Sequence, residues 1–299
     1  MNETPVRDFT GQVVLGTTGA EQCATAEFWG AAFAARRRLP VLLLGAFGHG
    51  PTAAPDAILL PQITEDAQLA MTSYLEQMRT NLQSQYENLD VGVEAAPGHA
   101  GPWLADASRS ADLVVVGTRG LNGLSGLLLG STSQYLVTHA RGPVAVVPSS
   151  LTEDLTDGDP IVLGVDGESD SAATEFAFEQ ARTEGRPLVA VHSWEPGDRW
   201  ADRDERGPAV PTDDHLDHVL KETLAQHTER FPEVEVRRQV VRGQSDVALL
   251  GASARAAMLV VGTHGRGEVR GLLFGSTSMR LFARASCPAI VVPERTRQQ

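Results

Sequence analysis

One long internal repeat constrains the fold of this chain more than any other feature of its sequence. Three pairs of segments match at a common offset of 145 residues: LVVVGT at 113–118 with LVVGT at 259–263, GLLLGSTSQYL at 126–136 with GLLFGSTSMRL at 271–281, and GPVAVVP at 142–148 with CPAIVVP at 287–293. A repeat of this length is the size of a whole domain, whereas solenoid repeats are much shorter. The pattern therefore indicates duplication of a domain.

The length of the chain agrees with this interpretation, because 299 residues allow two domains of roughly 150 residues each. We predict domains over residues 1–150 and 151–299. The joint is expected in the segment SSLTEDLTDGDP at 149–160, which is polar and contains glycine and proline. Such segments bury little apolar surface and typically connect domains.

Composition places the chain among globular proteins, with 42% hydrophobic and 21% charged residues. Its apolar runs are shorter than the roughly 20 residues that a membrane span needs, and its first ten residues are polar, unlike a signal peptide. A cytoplasmic location without a membrane partner is therefore expected. Cys23 and Cys287 are far apart in the sequence, so we expect buried thiols and no zinc site or disulfide.

The charge of the chain argues against a nucleic-acid partner. The net charge is −13, and both halves contribute to it: residues 1–150 hold 8 basic and 13 acidic residues, and residues 151–299 hold 17 and 25. General nucleic-acid-binding proteins carry a basic surplus instead. Lys221 is the only lysine, so the glycine-rich segments lack the lysine of a Walker phosphate-binding loop.

Short apolar runs that recur in both halves predict the strands of two parallel sheets. They are continuous rather than alternating, as is typical of strands buried on both faces. The runs lie at 12–16, 41–45, 91–95, 113–117 and 144–148 in the first half, and at 161–165, 188–192, 234–240, 258–262 and 289–293 in the second. Helical segments between them predict a doubly wound α/β domain of five strands in each half.

Three segments have the periodicity of amphipathic helices. They are 21–36, 65–83 with Thr64 as a candidate N-cap, and 213–230 with Thr212 as a candidate N-cap. Residues 47–63 and 195–211 lack a clear period and are expected to form long loops at the edge of each sheet.

A glycine pattern follows the fourth predicted strand of each half. Gly-x-x-Gly is followed, after nine intervening residues, by Gly-Ser-Thr-Ser: Gly117 to Gly120 and Gly130 to Ser133, then Gly262 to Gly265 and Gly275 to Ser278. Glycine at a strand end permits tight turns and close approach of backbone N–H groups to a ligand. A Gly-Ser-Thr-Ser step into a helix adds unpaired N–H donors and the positive end of the helix dipole. This chemistry suits phosphate, although each piece alone is also common in ordinary turns and N-caps.

With these motifs, the sequence resembles the tandem-domain form of the universal stress protein family. The resemblance covers nearly the whole chain and includes GVDGESDS, VVRGQSDVALL and VVGTHGRG in the second half. The G-x2-G-x9-G-S pattern is similar to that of the ATP-binding branch. The family implies two tandem Rossmann-like domains (adenine nucleotide alpha hydrolase-like), each a five-stranded parallel sheet flanked by helices, which dimerise and often hold ATP.

The resemblance also implies nucleotide-binding residues in this sequence. The phosphate loops correspond to Gly262, Gly265, Gly275, Ser276 and Thr277 in the second half, and to Gly117, Gly120, Gly130, Ser131 and Thr132 in the first. An acidic residue near the ribose and phosphates corresponds to Asp166, where a carboxylate can accept ribose hydroxyl bonds or help to hold Mg²⁺. The first half has Thr18 at this position, which leaves nucleotide binding there in doubt. Adenine is expected near Val191–His192, or near Gly45–Ala46 in the first half.

Several of these residues also have simpler interpretations. Asp166 can cap the helix that follows it. His264 and its counterpart Arg119 can face either phosphate or solvent, and Arg266 and Arg270 can either bind phosphate or balance the acidic charge. His215 and His218 fit a solvated helix face better than a metal site.

The preferred hypothesis is an ATP-binding universal stress protein that acts as a nucleotide-responsive stress or regulatory factor with little or no catalysis. A nucleophile elbow and an evident general base are both missing from the sequence, so fast phosphoryl transfer is not expected. One alternative is an interaction module without ligand, whose last strands, at 144–147 and 289–292, pair across domains in an intramolecular pseudo-dimer or a homodimer. The other alternative is a slow ATP hydrolase.

Overall fold

The computed structural model describes residues 7–48, 60–118, 129–151, 156, 158–166, 172–195, 212–263 and 276–294, with the backbone alone at 60–64, 276 and 277. The chain divides into two compact units, Met1–Ser149 and Ser150–Gln299. Within the described residues, no helix is both long enough and apolar enough to cross a membrane.

The first unit contains a parallel sheet of five strands in the order β3-β2-β1-β4-β5. The strands are β1 Val13–Thr17, β2 Val41–Phe47, β3 Val91–Pro97, β4 Leu113–Gly117 and β5 Val144–Val147. The helices between them are α1 Ala24–Arg37, which follows a short 3-10 turn, α2 Leu60–Gln85, α3 Ala100–Ala107 and α4 Ser131–His139.

The second unit repeats this arrangement, with five parallel strands in the order β10-β9-β6-β7-β8. The strands are β6 Ile161–Gly164, β7 Leu188–Trp194, β8 Val236–Arg242, β9 Met258–Gly262 and β10 Ala289–Val292. The helices are α5 Ala172–Glu184, α6 Asp213–Arg230, α7 Ser245–Ala252 and α8 Ser276–Arg284.

The α/β fold class and all ten strands that the sequence predicts are confirmed. The continuous apolar runs of β1, β4, β5, β6, β9 and β10 form the core of the two sheets, where nearly every residue is buried. Strands covered by helices on both faces need apolar side chains at consecutive positions, which explains the absence of alternation. β8 differs, because it lies at the edge of its sheet and exposes Arg237, Arg238 and Gln239.

Two details of the predicted elements are wrong. The loop expected at 47–63 is shorter, since Phe47 belongs to β2 and residues 60–63 belong to α2; residues 49–59 lie outside the described part of the chain. Thr64 therefore lies inside α2 and does not cap it. In contrast, Thr212 caps α6 as predicted, because its hydroxyl accepts the His215 N–H at 3.3 Å.

Each sheet reverses its strand order beside its first strand. β1 lies between β2 and β4, and β6 lies between β7 and β9. In open α/β sheets, a crevice forms at the carboxyl ends of the strands at such a point, and ligands bind there. The topology thus defines one candidate crevice in each unit.

Candidate functional site

The crevice of the second unit is formed by the carboxyl ends of β6, β7 and β9. Gly164 pairs with Val191, and the N–H of Val165 donates to the Val191 carbonyl at 2.9 Å. Asp166 follows immediately and is only partly buried. Gly262 ends β9, the neighbour of β6 on its other side. The fold therefore brings Asp166, Val191 and Gly262 to one edge of the sheet, although Val191 lies inside β7, which continues to Trp194.

Helix α8 follows β9 in the chain and packs against α7 and β10. It begins at Ser276, so Ser276 and Thr277 lie in its first turn. The first N–H groups of a helix lack acceptors within the helix and carry the positive end of its dipole. Leu281 and Phe282 of the same helix are fully buried and fix it against the sheet. Gly265 and Gly275, which the sequence assigns to the phosphate loop, lie outside the described residues.

The residues of this second-unit crevice fit an adenine nucleotide chemically. Among the described residues, a methyl group built on Gly262 would meet Ala173 alone, at 3.8 Å; residues 264–275 lie outside the described part of the chain. Backbone amides and a helix N-terminus suit phosphate oxygens, and a partly exposed carboxylate such as Asp166 suits ribose hydroxyls or Mg²⁺.

Two side-chain pairs that sequence analysis missed support this crevice. The Ser193 hydroxyl, at the carboxyl end of β7, donates to the Ser245 hydroxyl at 2.7 Å. Asp246 is the next residue of α7; it is buried, and it accepts a hydrogen bond from Arg280 of α8 at 3.1 Å. α7 is thereby connected to the end of β7 on one side and to α8 on the other.

The first unit has small residues at three of these four positions and a tyrosine at the fourth. The structurally matching residues are Ala46, Ala100, Gly101 and Tyr135. α3 and α7 align without gaps, because Leu104 contacts Gly16 as Leu249 contacts Gly164. Comparison of the two halves of the sequence at an offset of 145 residues would have identified Ser245, Asp246 and Arg280, which replace alanine, glycine and tyrosine of the first half. Ser193 matches Ala46 at an offset of 147 residues, so that comparison would have missed it.

In the first unit, the residues predicted from the glycine pattern come together at the base of α4. The N–H of Gly130 donates to the Thr118 carbonyl at 3.0 Å, and the Ser133 hydroxyl donates to the Gly117 carbonyl at 2.8 Å. Gly130 is the N-cap of α4, and Ser131 and Thr132 form its first turn without a side-chain cap. Gly120 lies outside the described residues. Because the Gly130 N–H is already engaged, the first-turn amides of α4 are the donors left for the phosphate that the sequence predicts here.

The turn after β1 is satisfied by its own side chains. The Thr18 hydroxyl is 3.3 Å from the Cys23 thiol, and the N–H of Gly19 donates to the Thr17 hydroxyl at 3.1 Å. Gly19 has φ of +75°, a conformation that glycine adopts at little cost. Cys23 is buried, as the sequence predicts, and so is Cys287.

A buried acid lies directly beside this turn. Glu27 of α1 is 1% exposed, and the Tyr74 hydroxyl of α2 is 2.9 Å from both of its carboxyl oxygens. Burial raises the pKa of Glu27 above its usual value, since a charged carboxylate is poorly solvated there. Burial also raises the pKa of Tyr74, and the adjacent Glu27 adds to that shift.

The matching glutamate of the second unit makes different contacts. Glu175 lies 3.3 Å from the ring nitrogen of His227 and 2.6 Å from the guanidinium of Arg230. Both partners belong to the last turns of α6. The same position in the first helix of each unit is therefore bound to different parts of the second helix.

The remaining candidate residues divide into two groups. Arg119, His264, Arg266 and Arg270 lie outside the described residues. His215 and His218 lie on the exposed face of α6, where His218 is 3.2 Å from Glu222. This is the solvated face that the sequence suggests, and the described part of the chain contains no group of three side chains placed to hold a metal ion.

Comparison with known proteins gives a consistent result for both halves. The sequence model of the Universal stress protein family matches residues 10–148 and 159–293. A universal stress protein of Mycolicibacterium smegmatis is 33% identical over 294 residues, which cover 95% of this chain and 97% of that protein. One from Mycobacterium tuberculosis is 32% identical over 296 residues, covering 93% and 96%. The crystal structure of a universal stress protein from Archaeoglobus fulgidus shares the fold, with a TM-score of 0.67 at 19% identity over 96% of this chain and 99% of that chain.

Proposed function

Because the chain belongs to the universal stress protein family, we propose that it binds an adenine nucleotide, ATP in the first instance, in the crevice of its second unit. The observation that carries this proposal is that Asp166, Val191 and Gly262 lie at one edge of the sheet, at its reversal point. In this proposal, nucleotide binding gives the protein a stress or regulatory role, and the bound nucleotide is not rapidly hydrolysed.

Each part of the crevice has a distinct role in this proposal. The first-turn amides of α8 at Ser276 and Thr277, together with the glycines at 262, 265 and 275, bind the phosphates. Asp166 accepts hydrogen bonds from the ribose hydroxyls or helps to hold Mg²⁺, and the backbone around Val191 forms the wall on the adenine side. The matching set in the first unit is Gly117, Gly120, Gly130, Ser131 and Thr132, beside Thr18 in place of the aspartate.

A role in binding rather than catalysis agrees with the residues available. Fast phosphoryl transfer relies on cations and a group that positions the nucleophile. The only lysine, Lys221, lies on an exposed position of α6. The described residues that directly follow β6 and β7 contribute two carboxylates, Asp166 and the exposed Glu195, and no lysine or arginine. We therefore propose that ligand occupancy, and not product formation, is the signal that this protein delivers.

Calorimetric titration of the intact chain with MgATP tests the proposal. We expect saturable binding that weakens roughly tenfold or more in Asp166→Ala, because charge-assisted hydrogen bonds contribute about 1.5–3 kcal/mol. Thr18→Ala, at the matching position of the first unit, is the control and should leave the affinity unchanged. Absence of saturation, or a larger effect of Thr18→Ala than of Asp166→Ala, would contradict the proposal.

A further inference from the structure

The first unit contains a contact that blocks its own crevice. We propose that helix α2 closes this crevice through Tyr74, so that each chain binds one nucleotide, in the second unit. The number of nucleotides per chain rests on the proposed nucleotide binding, whereas the closure involves contacts of the first unit alone.

The hydroxyl group of Tyr74 is held by a buried acceptor. Both oxygens of Glu27 lie 2.9 Å from it, and Glu27 is almost fully buried. The Thr17 side chain also hydrogen-bonds to Glu27, and a buried carboxyl group that loses one of its donors is destabilised. Withdrawal of Tyr74 from the turn is therefore unfavourable, and α2 is fixed at this point.

The ring of Tyr74 covers the turn that follows β1. A methyl group placed on Gly19 would lie 3.5 Å from Cγ of Tyr74 and within 3.8 Å of both Cδ atoms, so the ring faces Gly19 across a space about the size of one methyl group. This turn corresponds to the place at which the second unit presents Asp166. In the first unit, Thr18 is instead directed to Cys23, and the turn has an aromatic cover in place of a carboxylate.

A second residue of α2 fixes the helix over the neighbouring strand. Met71, one turn before Tyr74, is buried and packs directly onto Gly45 of β2, where any side chain would collide with it. Gly45 is the position near which the sequence predicts adenine in the first unit. α2 thus lies over the turn after β1 through Tyr74 and over the interior of β2 at Gly45 through Met71.

The second unit lacks this tyrosine. α2 and α6 end alike: Tyr86 N–H donates to the Leu82 carbonyl and Leu89 N–H to the Tyr86 carbonyl, and the same bonds recur at Phe231 and Val234. This alignment matches Tyr74 with Val219, which has no hydroxyl to bind the matching acid. Glu175 pairs with the end of α6 instead, so the described contacts of the second unit contain no equivalent closure.

Hydrogen–deuterium exchange of the intact chain with and without saturating MgATP localises binding to a unit. We compare the wild type with Thr18→Asp, which restores the missing carboxylate, and with Thr18→Asp/Tyr74→Val, which also removes the cover. ATP should protect only second-unit peptides in the wild type and in Thr18→Asp. In the double variant it should also protect residues 13–19 and the start of α4, and the calorimetric stoichiometry should rise from one to two.

Each outcome decides one question. If ATP protects the first unit in the wild type or in Thr18→Asp, the closure is overturned. The closure is also overturned if the double variant melts cooperatively, and is therefore folded, but ATP does not protect its first unit. If the double variant does not fold, the wild type and Thr18→Asp still decide, because closure requires an unprotected first unit in both. If ATP gives no protection in the second unit of the wild type, the result contradicts the proposed nucleotide binding and not the closure of the first unit.

Discussion

At the scale of single residues, the two units differ in how one matching glutamate is satisfied. Glu27 is buried beneath a tyrosine, whereas Glu175 pairs with a histidine and an arginine. A buried acid without a cationic partner favours its neutral form. The ionisation of Glu27 is therefore coupled to the stability of the first unit.

This coupling predicts the sign of a pH effect. The pKa of Glu27 is raised in the folded protein, so the folded state holds a proton that the unfolded chain has already released. The stability contribution is complete below the unfolded pKa and is lost as the pH rises through the folded pKa. Glu27→Gln cannot ionise and so does not lose stability as the pH rises. We expect this variant to be more stable than the wild type near neutral pH, by on the order of 1 kcal/mol. The difference in stability should shrink toward pH 4.

Urea unfolding from pH 4 to 7.5 measures this effect. Glu21→Gln is the matched control, since Glu21 is an exposed acid one turn ahead of α1, and it should change neither the level nor the slope of stability with pH. A Glu27→Gln profile parallel to that of the wild type would show that Glu27 has the same pKa in the folded and unfolded chains.

At the scale of secondary-structure elements, the position of α8 relative to α7 determines where its first-turn amides point. The Asp246–Arg280 pair joins these helices, while Gly101 and Tyr135 meet at the matching place between α3 and α4. We expect Arg280→Met to weaken MgATP binding by roughly threefold to fivefold, up to about 1 kcal/mol, because α8 loses a lateral constraint and Asp246 loses its cation.

The duplication supplies the control for this prediction. Tyr135→Met changes the matching residue of α4 and should leave the affinity for MgATP unchanged. Both variants are compared by calorimetric titration, with thermal melting as a check on folding. Equal weakening by Arg280→Met and Tyr135→Met would show that the Asp246–Arg280 pair has no specific part in positioning the site.

The elements also show which parts of the structure a sequence can predict. The strands were predictable because continuous apolar runs are the signature of strands covered on both faces. Helices α3 and α7 have eight residues each, too few to repeat a helical period clearly. The early start of α2 at Leu60 follows polar and proline-containing sequence that carries no strong helix signal.

The site was predictable only in part, for a related reason. Glycines, the Ser-Thr-Ser step and Asp166 lie within short motifs, so their chemistry can be inferred locally. Tyr74 and Glu27 are 47 residues apart, and Asp246 and Arg280 are 34 apart. Such pairs depend on which helices become neighbours, and no local pattern of one sequence specifies that.

At the scale of the whole molecule, duplication has preserved the fold of the two units while their binding chemistry has diverged. Both sheets have the same strand order and reversal point. One unit combines Asp166 with a polar network around α7 and α8, and the other has Thr18 beneath Tyr74. A duplicated domain allows such a division, because the proposed binding function can be carried by one copy alone.

The number of nucleotides bound per chain tests this account most directly. Equilibrium dialysis of the intact protein against radiolabelled ATP with Mg²⁺, carried to saturation, measures this number without a variant. The account predicts one ATP per chain. Two equivalent sites would show that Tyr74 does not exclude ligand from the first unit, and the absence of saturable binding would show that the crevice beside α8 does not hold the nucleotide.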